Sequence, residues 1–387
     1  MHEALVKQPA ITGSSRSCAA RLSHGQGDAP PTRGHIVQGA ILTRSRLILI
    51  LGLLTLTAVV VSLICLHFGA QPIAYGDIVR VLMGVMTVDQ TKTDGGSADI
   101  TRTILLQIRL PRVLLGFLVG CSLASVGVVL QGLLRNPLAD PYVLGVSSGA
   151  ALGAALGVLC GVGTTFLAEA ALPACGFAGG IVALVIVYRM ATNSERLPIH
   201  SLLLTGVILN AIFSALIMFI TSILDPNRSY GMMAWLMGTL TSPTYSGLVG
   251  VLVYLSISLI LLFRQVRAMN ILALGEDAAR SLGVDTERAK RSIFVLTALV
   301  TGAVVSVSGM IGFIGMVVPH AVRLAIGADH RLLLPASALV GGTFLMGADT
   351  MARTLIAPTE IPVGIITALA GGPFFVYLLL WRKDRLA

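Results

Sequence analysis

Residues 110–134 read LPRVLLGFLVGCSLASVGVVLQGLL, and no charged side chain follows Arg112 in this stretch until Arg135. About 20 consecutive apolar residues suffice for a helix to cross the roughly 30 Å hydrocarbon layer of a bilayer. A soluble α/β protein would interrupt such a run with charge. The stretch therefore predicts a membrane-spanning helix.

Similar apolar runs recur along most of the chain, which is 55% hydrophobic and only 12% charged over 387 residues. Soluble domains carry about 25% charged residues, so this composition indicates a membrane protein. The run from Ile293 to Ile326 is too long for one span, and we divide it at the Gly-rich stretch Ser308–Gly315. The predicted spans are Leu47–Leu66, Leu110–Leu134, Val143–Leu159, Leu172–Met190, Ser201–Ile223, Ser246–Phe263, Ile293–Met310, Gly312–Ile326, Leu334–Met351 and Pro362–Trp381.

The distribution of lysine and arginine predicts the orientation of these spans. With ten spans and a cytoplasmic N-terminus, twenty of the 27 Lys and Arg residues lie on the cytoplasmic side, as the positive-inside rule requires. An odd number of spans would place the basic cluster at residues 382–385 outside. The sequence therefore predicts an all-α polytopic membrane protein with about ten transmembrane helices per subunit and both termini cytoplasmic.

The polar segments flank or interrupt this ten-helix domain, which we place at residues 45–387. Residues 1–44 lack an apolar core and are predicted to form a disordered cytoplasmic tail. Residues 264–291 break the membrane pattern and predict a cytoplasmic loop of two short helices, suited to docking a partner protein or forming a solvated hairpin. The net charge of +9 is spread over loop ends. Anionic membrane lipid accounts for it, so no nucleic-acid partner is predicted.

Catalytic signatures are missing from the sequence. None of the four lysines follows a glycine, so there is no phosphate-binding P-loop. No zinc-protease, serine-hydrolase or paired-carboxylate motif occurs within a span, which argues against a membrane-embedded enzyme and against a resident metal or cofactor. An ion-driven secondary transporter would need buried carboxylates or broken helices. Asp349 is the nearest candidate, and Arg353 is its ready partner at i+4.

A series of short motifs runs in order from about residue 45 to the C-terminus. The motifs are RLPR at 109–112, Gln131, NPLADP at 136–141, LGVSSGA at 144–150, LLLTGV at 202–207, MNILALGE at 269–276, GFIG at 312–315, VPH at 318–320, Arg323, DHR at 329–331, AD at 348–349, AR at 352–353 and IPVG at 361–364. By these motifs the chain resembles the FecCD family of iron-siderophore, haem and cobalamin permeases.

The resemblance implies a permease subunit of a type II ABC importer in the bacterial cytoplasmic (inner) membrane, with the permease domain at residues 45–387. The implied cargo is an iron chelate, either a ferric siderophore or haem, and the alternative is cobalamin. The implied partners are a second copy of the permease or a related permease, two cytoplasmic ATPase subunits that use ATP and Mg, and an extracytoplasmic substrate-binding protein.

The resemblance also implies roles for particular residues. Docking of the binding protein is assigned to Arg109, Arg112 and Arg353, whose guanidinium groups suit carboxylates; the alternatives are snorkelling or an Asp349–Arg353 pair. Contact with the ATPases is assigned to the coupling loop at Leu274, Gly275, Glu276, Ala279, Leu282 and Gly283. A cytoplasmic gate is assigned to Asn136 and Leu138 with the stretch at Ile199 and His200. His200 and His320 are either haem ligands or structural histidines.

Overall fold

The computed structural model describes residues 43–69, 71–84, 100–162, 168–192, 197–241 and 243–381. Residues 1–42 of the predicted tail and the basic cluster at residues 382–385 lie outside the described residues. Within the described ranges, the regular secondary structure is helical throughout. The α-helices are α1 Arg44–His67, α2 Tyr75–Leu82, α3 Leu110–Leu134, α4 Val146–Leu159, α5 Ala168–Ala191, α6 Ile199–Ile223, α7 Pro226–Leu236, α8 Tyr245–Arg264, α9 Val266–Leu272, α10 Glu276–Ser281, α11 Thr286–Ser308, α12 Ile314–Ile326, α13 His330–Thr354 and α14 Val363–Trp381.

Every predicted span corresponds to one of these helices. Among the described residues, seven helices are long and apolar enough to cross a membrane, and three shorter apolar helices, α4, α12 and α14, complete the set. The all-helical polytopic fold class is therefore confirmed. The structure ends α11 at Ser308 and begins α12 at Ile314, in agreement with the predicted division of the long apolar run. The loop at 264–291 contains the short helices α9 and α10.

Helix α3 lies at the centre of the bundle. Its most apolar window is 83% buried, whereas that of α1 is only 6% buried. A π-helical turn, Ile104–Arg109, leads directly into α3, and Pro111 lies just after it, where the regular α-helical hydrogen-bond pattern is already interrupted. Helices α11, α12 and α13 all pack on α3, so α3 connects the two polar ends of the molecule through its core.

Helices α3 and α13 run antiparallel and approach closely through glycines. A Cβ atom on Gly120 would collide with the carbonyl oxygen of Gly341, and one on Gly132 would lie 2.8 Å from Nε2 of His330. Such small-residue contacts are a common way for membrane helices to pack. The pairing sets the first turn of α3 beside the last turns of α13, and the end of α3 beside the start of α13.

A second glycine contact joins α4 to α5. A Cβ atom on Gly179 would lie 2.8 Å from the Cα atom of Gly153 and would collide with the carbonyl oxygen of Gly149. The two backbones therefore touch directly. The short helix α4 is held in the bundle by this contact and by packing against α6 and α11.

Candidate functional site

Four charged side chains form a cluster where α3 begins and α13 ends, which the predicted topology places outside. Arg112 lies 3.0 Å from Asp349 through Nη2 and 2.9 Å from Glu360 through Nη1. Nε of Arg353 lies 3.1 Å from the second oxygen of Asp349. Asp349, with 3% of its side chain exposed, thus pairs with both arginines, and Glu360 supplies the second negative charge. We call Arg112, Asp349, Arg353 and Glu360 the arginine cluster.

Arg109 lies next to this cluster but binds backbone oxygens. Its Nη1 donates hydrogen bonds of 2.8 and 3.0 Å to the carbonyls of Leu66 and His67, and its Nη2 donates to the carbonyl of Gln71. The last carbonyls of a helix have no partner within the helix and favour a cation. Arg109 therefore fastens the end of α1 to the π-helical turn before α3.

These positions bear on the predicted docking role of the three arginines. Arg109 and Arg353 are buried, with 5% and 8% relative exposure, and both bind groups of their own chain. The intrahelical pair between Asp349 and Arg353 is present. Arg112 exposes 12% of its side chain beside Glu360, which exposes 56%. In this conformation, a partner's carboxylate can therefore reach the cluster only at Arg112, beside Glu360, and docking remains a prediction.

Sequence reasoning missed Glu360. It follows α13 in the loop that leads to α14, and 248 positions separate it from Arg112. Glu360 follows the ninth predicted span, which places it on the same side of the membrane as Arg112. A search of the sequence for opposite charges on one side of the membrane would therefore have found it. The pairing itself depends on how α3 and α13 pack.

The coupling loop lies at the opposite end of the bundle. Leu274 and Leu282 are 69% and 62% exposed, although both are large apolar side chains on a polar loop. Gly275 and Gly283 have φ values of +125° and +79°, where glycine is strongly favoured. The loop therefore presents two leucines at two tight glycine turns.

Glu276 and Ala279 lie differently from the exposed leucines. Glu276 opens α10, is partly buried and binds Lys290 at 3.2 Å. Ala279 was predicted as part of the contact surface, but its side chain is fully buried in the main hydrophobic core. It packs α10 onto the protein and cannot touch an ATPase in this structure.

Helix α9, the first half of the loop, is joined to both α3 and α13. Arg135 donates a hydrogen bond of 2.9 Å from Nη2 to the carbonyl of Leu272. Asn270 donates to Asp329 at 2.8 Å and accepts from the backbone amide of His330 at 3.0 Å. The first half of the coupling loop is therefore attached to the ends of α3 and α13.

The predicted gate residues lie at the ends of two membrane helices. Asn136 follows α3 and is exposed. Its side chain accepts a hydrogen bond of 2.9 Å from the Leu138 amide, which stabilises the turn that contains both residues. Leu138 is 42% exposed. Ile199 is partly buried and His200 exposed in the first turn of α6. Both pairs therefore occupy helix ends that the predicted topology places inside.

The turn after Leu138 is stabilised by Asp140. Its side chain accepts a hydrogen bond of 2.8 Å from the Tyr142 amide and caps the 3-10 turn Pro141–Leu144. Burial raises the pKa of the Asp140 carboxyl, and the hydrogen bond from Tyr142 opposes that shift. The carboxylate therefore holds the entry to α4 in place.

The two histidines proposed as haem ligands lie in different surroundings. His320 is buried within α12, at 9% relative exposure, whereas His200 is exposed at the start of α6. Among the residues that the structure describes, no group of three or more His, Cys, Asp or Glu side chains could hold a metal ion. A contact of either histidine with cargo remains a hypothesis.

Comparison with known proteins gives consistent matches over most of the chain. The chain is 44% identical over 293 residues to the cobalamin import system permease protein BtuC of Halobacterium salinarum, covering 75% of this chain and 77% of that protein. It is 40% identical over 346 residues to the hemin transport system permease protein HmuU of Yersinia pestis, covering 87% and 97%.

A solved structure agrees with these sequence matches. It is an inward-facing conformation of a metal-chelate type ABC transporter, with a TM-score of 0.73, 31% identity and coverage of 86% of this chain and 99% of that chain. The model of the FecCD transport family matches residues 54–381. The chain therefore belongs to the FecCD transport family and is a multi-pass membrane protein.

Proposed function

We propose that this chain is the permease subunit of an ATP-driven, binding-protein-dependent importer that moves an iron chelate across the bacterial cytoplasmic membrane. The observation that carries the proposal is the family match over residues 54–381. The 40% identical relative from Yersinia pestis is named for hemin transport, which favours haem or a ferric siderophore as cargo.

Cobalamin is the alternative cargo within the same class of transporter. It is favoured by one specific observation, the 44% identity to a permease named for cobalamin import. A secondary transporter has less support. The carboxylate that would have to carry a coupling ion, Asp349, already lies between two arginines at 3.0 and 3.1 Å.

The proposed partners on the cytoplasmic side are two ATPase subunits, which would bind ATP and Mg in place of this chain. The exposed Leu274 and Leu282 are suited to insertion into an apolar cleft on each ATPase. Glycine turns at Gly275 and Gly283 allow the loop to present them. A second permease copy, or a related permease, would complete the pathway, and the exposed apolar helix faces would contact lipid or that copy.

The proposed partner on the outer side is a substrate-binding protein that docks near the arginine cluster. Arg112 supplies the reachable guanidinium edge, because Arg109 and Arg353 are buried beneath it. A carboxylate of the binding protein would exchange with Glu360 for Nη1 of Arg112. We assign Arg109 and Arg353 to positioning this surface, and Asn136, Leu138, Ile199 and His200 to a gate at the inner end.

The test is reconstitution of the permease with its cognate ATPase and binding protein in liposomes. Hemin, a ferric hydroxamate and cobalamin are offered separately, each with and without ATP. We expect uptake of one iron chelate that requires both ATP and the binding protein. Uptake of cobalamin alone would select the alternative cargo, and uptake without ATP or binding protein would exclude an ABC importer.

A further inference from the structure

Four charged side chains join α10 to the first turn of α11. Nζ of Lys290 lies 2.7 Å from Oε1 of Glu287 and 3.2 Å from Oε2 of Glu276. Arg280 lies 3.7 and 3.9 Å from the same two carboxylates. Only 6% of the Lys290 side chain is exposed, and a buried ammonium is tolerated only when it is paired. Lys290 is therefore held between α10 and α11.

The second oxygen of Glu287 binds a different part of the chain. Oε2 accepts a hydrogen bond of 2.9 Å from the backbone amide of Leu197. Leu197 is 2% exposed and belongs to the main core, and only Pro198 separates it from Ile199, where α6 begins. Glu287 therefore connects the charged cluster behind the coupling loop to the segment that positions the first turn of α6.

The two halves of the coupling loop are joined to different helices. Helix α9 is bonded to the α3 and α13 ends through Arg135 and Asn270. Helix α10 is bonded through Lys290 and Glu287 to α11 and to the approach to α6. Gly275, with φ of +125°, separates the halves. A displacement of α10 relative to α9 would therefore act on the approach to α6 through Glu287, whereas α9 would stay bonded to the ends of α3 and α13.

We propose that Glu287 is a positioning residue that transmits movement of the coupling loop to the first turn of α6, and so to the gate at Ile199 and His200. The inference rests on the proposed function, because it assumes an ATPase that moves the loop. One carboxylate oxygen receives the movement through Lys290, and the other passes it to the Leu197 amide. Bonds between ionised and neutral groups are strong enough to keep this geometry.

A reporter at the start of α6 distinguishes transmission from a merely structural role. His200→Cys supplies an exposed thiol in a background in which Cys18 and Cys160 are changed to serine. The full permease is assembled with its ATPase in nanodiscs, and the labelling rate by a polar maleimide is measured without nucleotide and with ATP and vanadate. ATP hydrolysis and copurification of the ATPase are measured on the same samples.

Two variants separate the contacts of Glu287, and a third serves as their control. Glu287→Ala removes both bonds, whereas Glu287→Gln keeps an oxygen for the Leu197 amide but loses the charge that Lys290 requires. Arg288→Ala is the matched control, because its side chain lies in the same turn, is 88% exposed and pairs only with Asp285 among the residues that the structure describes.

With the reporter alone and with Arg288→Ala, we expect the labelling rate to differ about tenfold between the two nucleotide states, which corresponds to a shift of about 1.4 kcal/mol in the equilibrium between accessible and inaccessible arrangements. With Glu287→Ala the difference should fall to about twofold or less, and with Glu287→Gln to an intermediate value, while ATP hydrolysis changes less than about twofold. If Glu287→Ala does not assemble, the Glu287→Gln result decides.

A full nucleotide-dependent difference in either Glu287 variant would overturn the inference. A different pattern marks failure of the proposed function itself. In that case, the reporter protein with an unaltered Glu287 would not copurify with the ATPase or would show no nucleotide-dependent labelling. The two failures can therefore be told apart. The inference about Glu287 fails only when the reporter protein with an unaltered Glu287 binds the ATPase and responds to nucleotide.

Discussion

Asp349 is a single carboxylate shared by two arginines in the last turns of α13. Its side chain is 3% exposed and lies 3.0 Å from Arg112 and 3.1 Å from Arg353. Two guanidinium groups that are withdrawn from water at one point repel each other unless an anion lies between them. The stability of the outer end of the bundle therefore depends on this residue more than on any exposed charge pair nearby.

Asp349→Asn should destabilise the protein by about 3–5 kcal/mol, because it leaves the buried Arg353 without a carboxylate and leaves Arg112 with only the exposed Glu360. Unfolding by SDS in mixed micelles measures the change. The matched control is Asp77→Asn, which breaks an exposed pair with Arg80 at 3.8 Å and should cost less than about 1 kcal/mol. Equal stability of the two variants would contradict the assigned role.

Glu360 occupies the one edge of Arg112 that a binding protein's carboxylate could use. Glu360→Gln should therefore raise the association rate of the cognate binding protein by about fivefold at low salt, because Nη1 of Arg112 loses its ionic partner and becomes free to pair with a carboxylate. Surface plasmon resonance on nanodisc-embedded permease measures the rate. Asp77→Asn, which removes a carboxylate from helix α2, should leave the association rate unaltered. A slower rate for Glu360→Gln would mean that Glu360 itself helps docking.

At the scale of helices, the contact between α3 and α13 determines which residues meet at each polar end of the bundle. Glycines on both helices let the backbones touch, with Gly120 against Gly341. Membrane helices gain little from hydrophobic burial against one another, so close van der Waals contact provides much of their attraction. This contact brings Arg112 to Asp349 at one end and Gly132 to His330 at the other.

Gly341→Ala and Gly347→Ala test this contact within one helix. A Cβ atom at 341 would lie 2.6 Å from the carbonyl oxygen of Gly120, whereas nothing lies within 4 Å of one at 347. The first change should cost about 1–3 kcal/mol by overpacking. The second should be neutral or stabilising by up to about 1 kcal/mol, because alanine favours the helix. Thermal unfolding in detergent compares them, and equal midpoints would argue against a tight contact.

At the scale of the whole molecule, the two polar regions lie at opposite ends of the same central helices. The arginine cluster lies where α3 begins, and the bond from Arg135 to the coupling loop lies where α3 ends. The Lys and Arg distribution places the first end outside and the second inside. A binding protein and an ATPase would therefore act on one continuous structural unit from opposite sides of the membrane.

Two exposed positions test this orientation. Met83 follows α2 and is 72% exposed, and Leu274 lies in the coupling loop and is 69% exposed. In cells carrying Cys160→Ser and Cys18→Ser, an impermeant maleimide should label Met83→Cys in intact cells. It should label Leu274→Cys only after permeabilisation. The labelling of the two variants can be compared because the two side chains are exposed to a similar extent. The reverse pattern would place the coupling loop outside and exclude a cytoplasmic ATPase.

Sequence alone determined the membrane helices and their order, because transfer of a helix into lipid depends on its own length and apolar content. The polar pattern of residues 264–291 also predicted a loop of two short helices, whereas the assignment of Leu274 and Leu282 to contact with the ATPases came from the family resemblance. Sequence spacing located the i, i+4 pair of Asp349 and Arg353, since that contact lies within a single helix.

Only the tertiary structure decided which of these residues are accessible and which partners they bind. It buried Arg109, Arg353 and Ala279, joined Arg112 to Glu360, and brought Glu287 to the Leu197 amide. These contacts depend on where glycines let two helices approach closely and on how the helices are then aligned along their lengths. Neither helix's own sequence contains that information. The sequence thus determined the set of membrane-spanning helices, while helix packing selected the charged residues that meet.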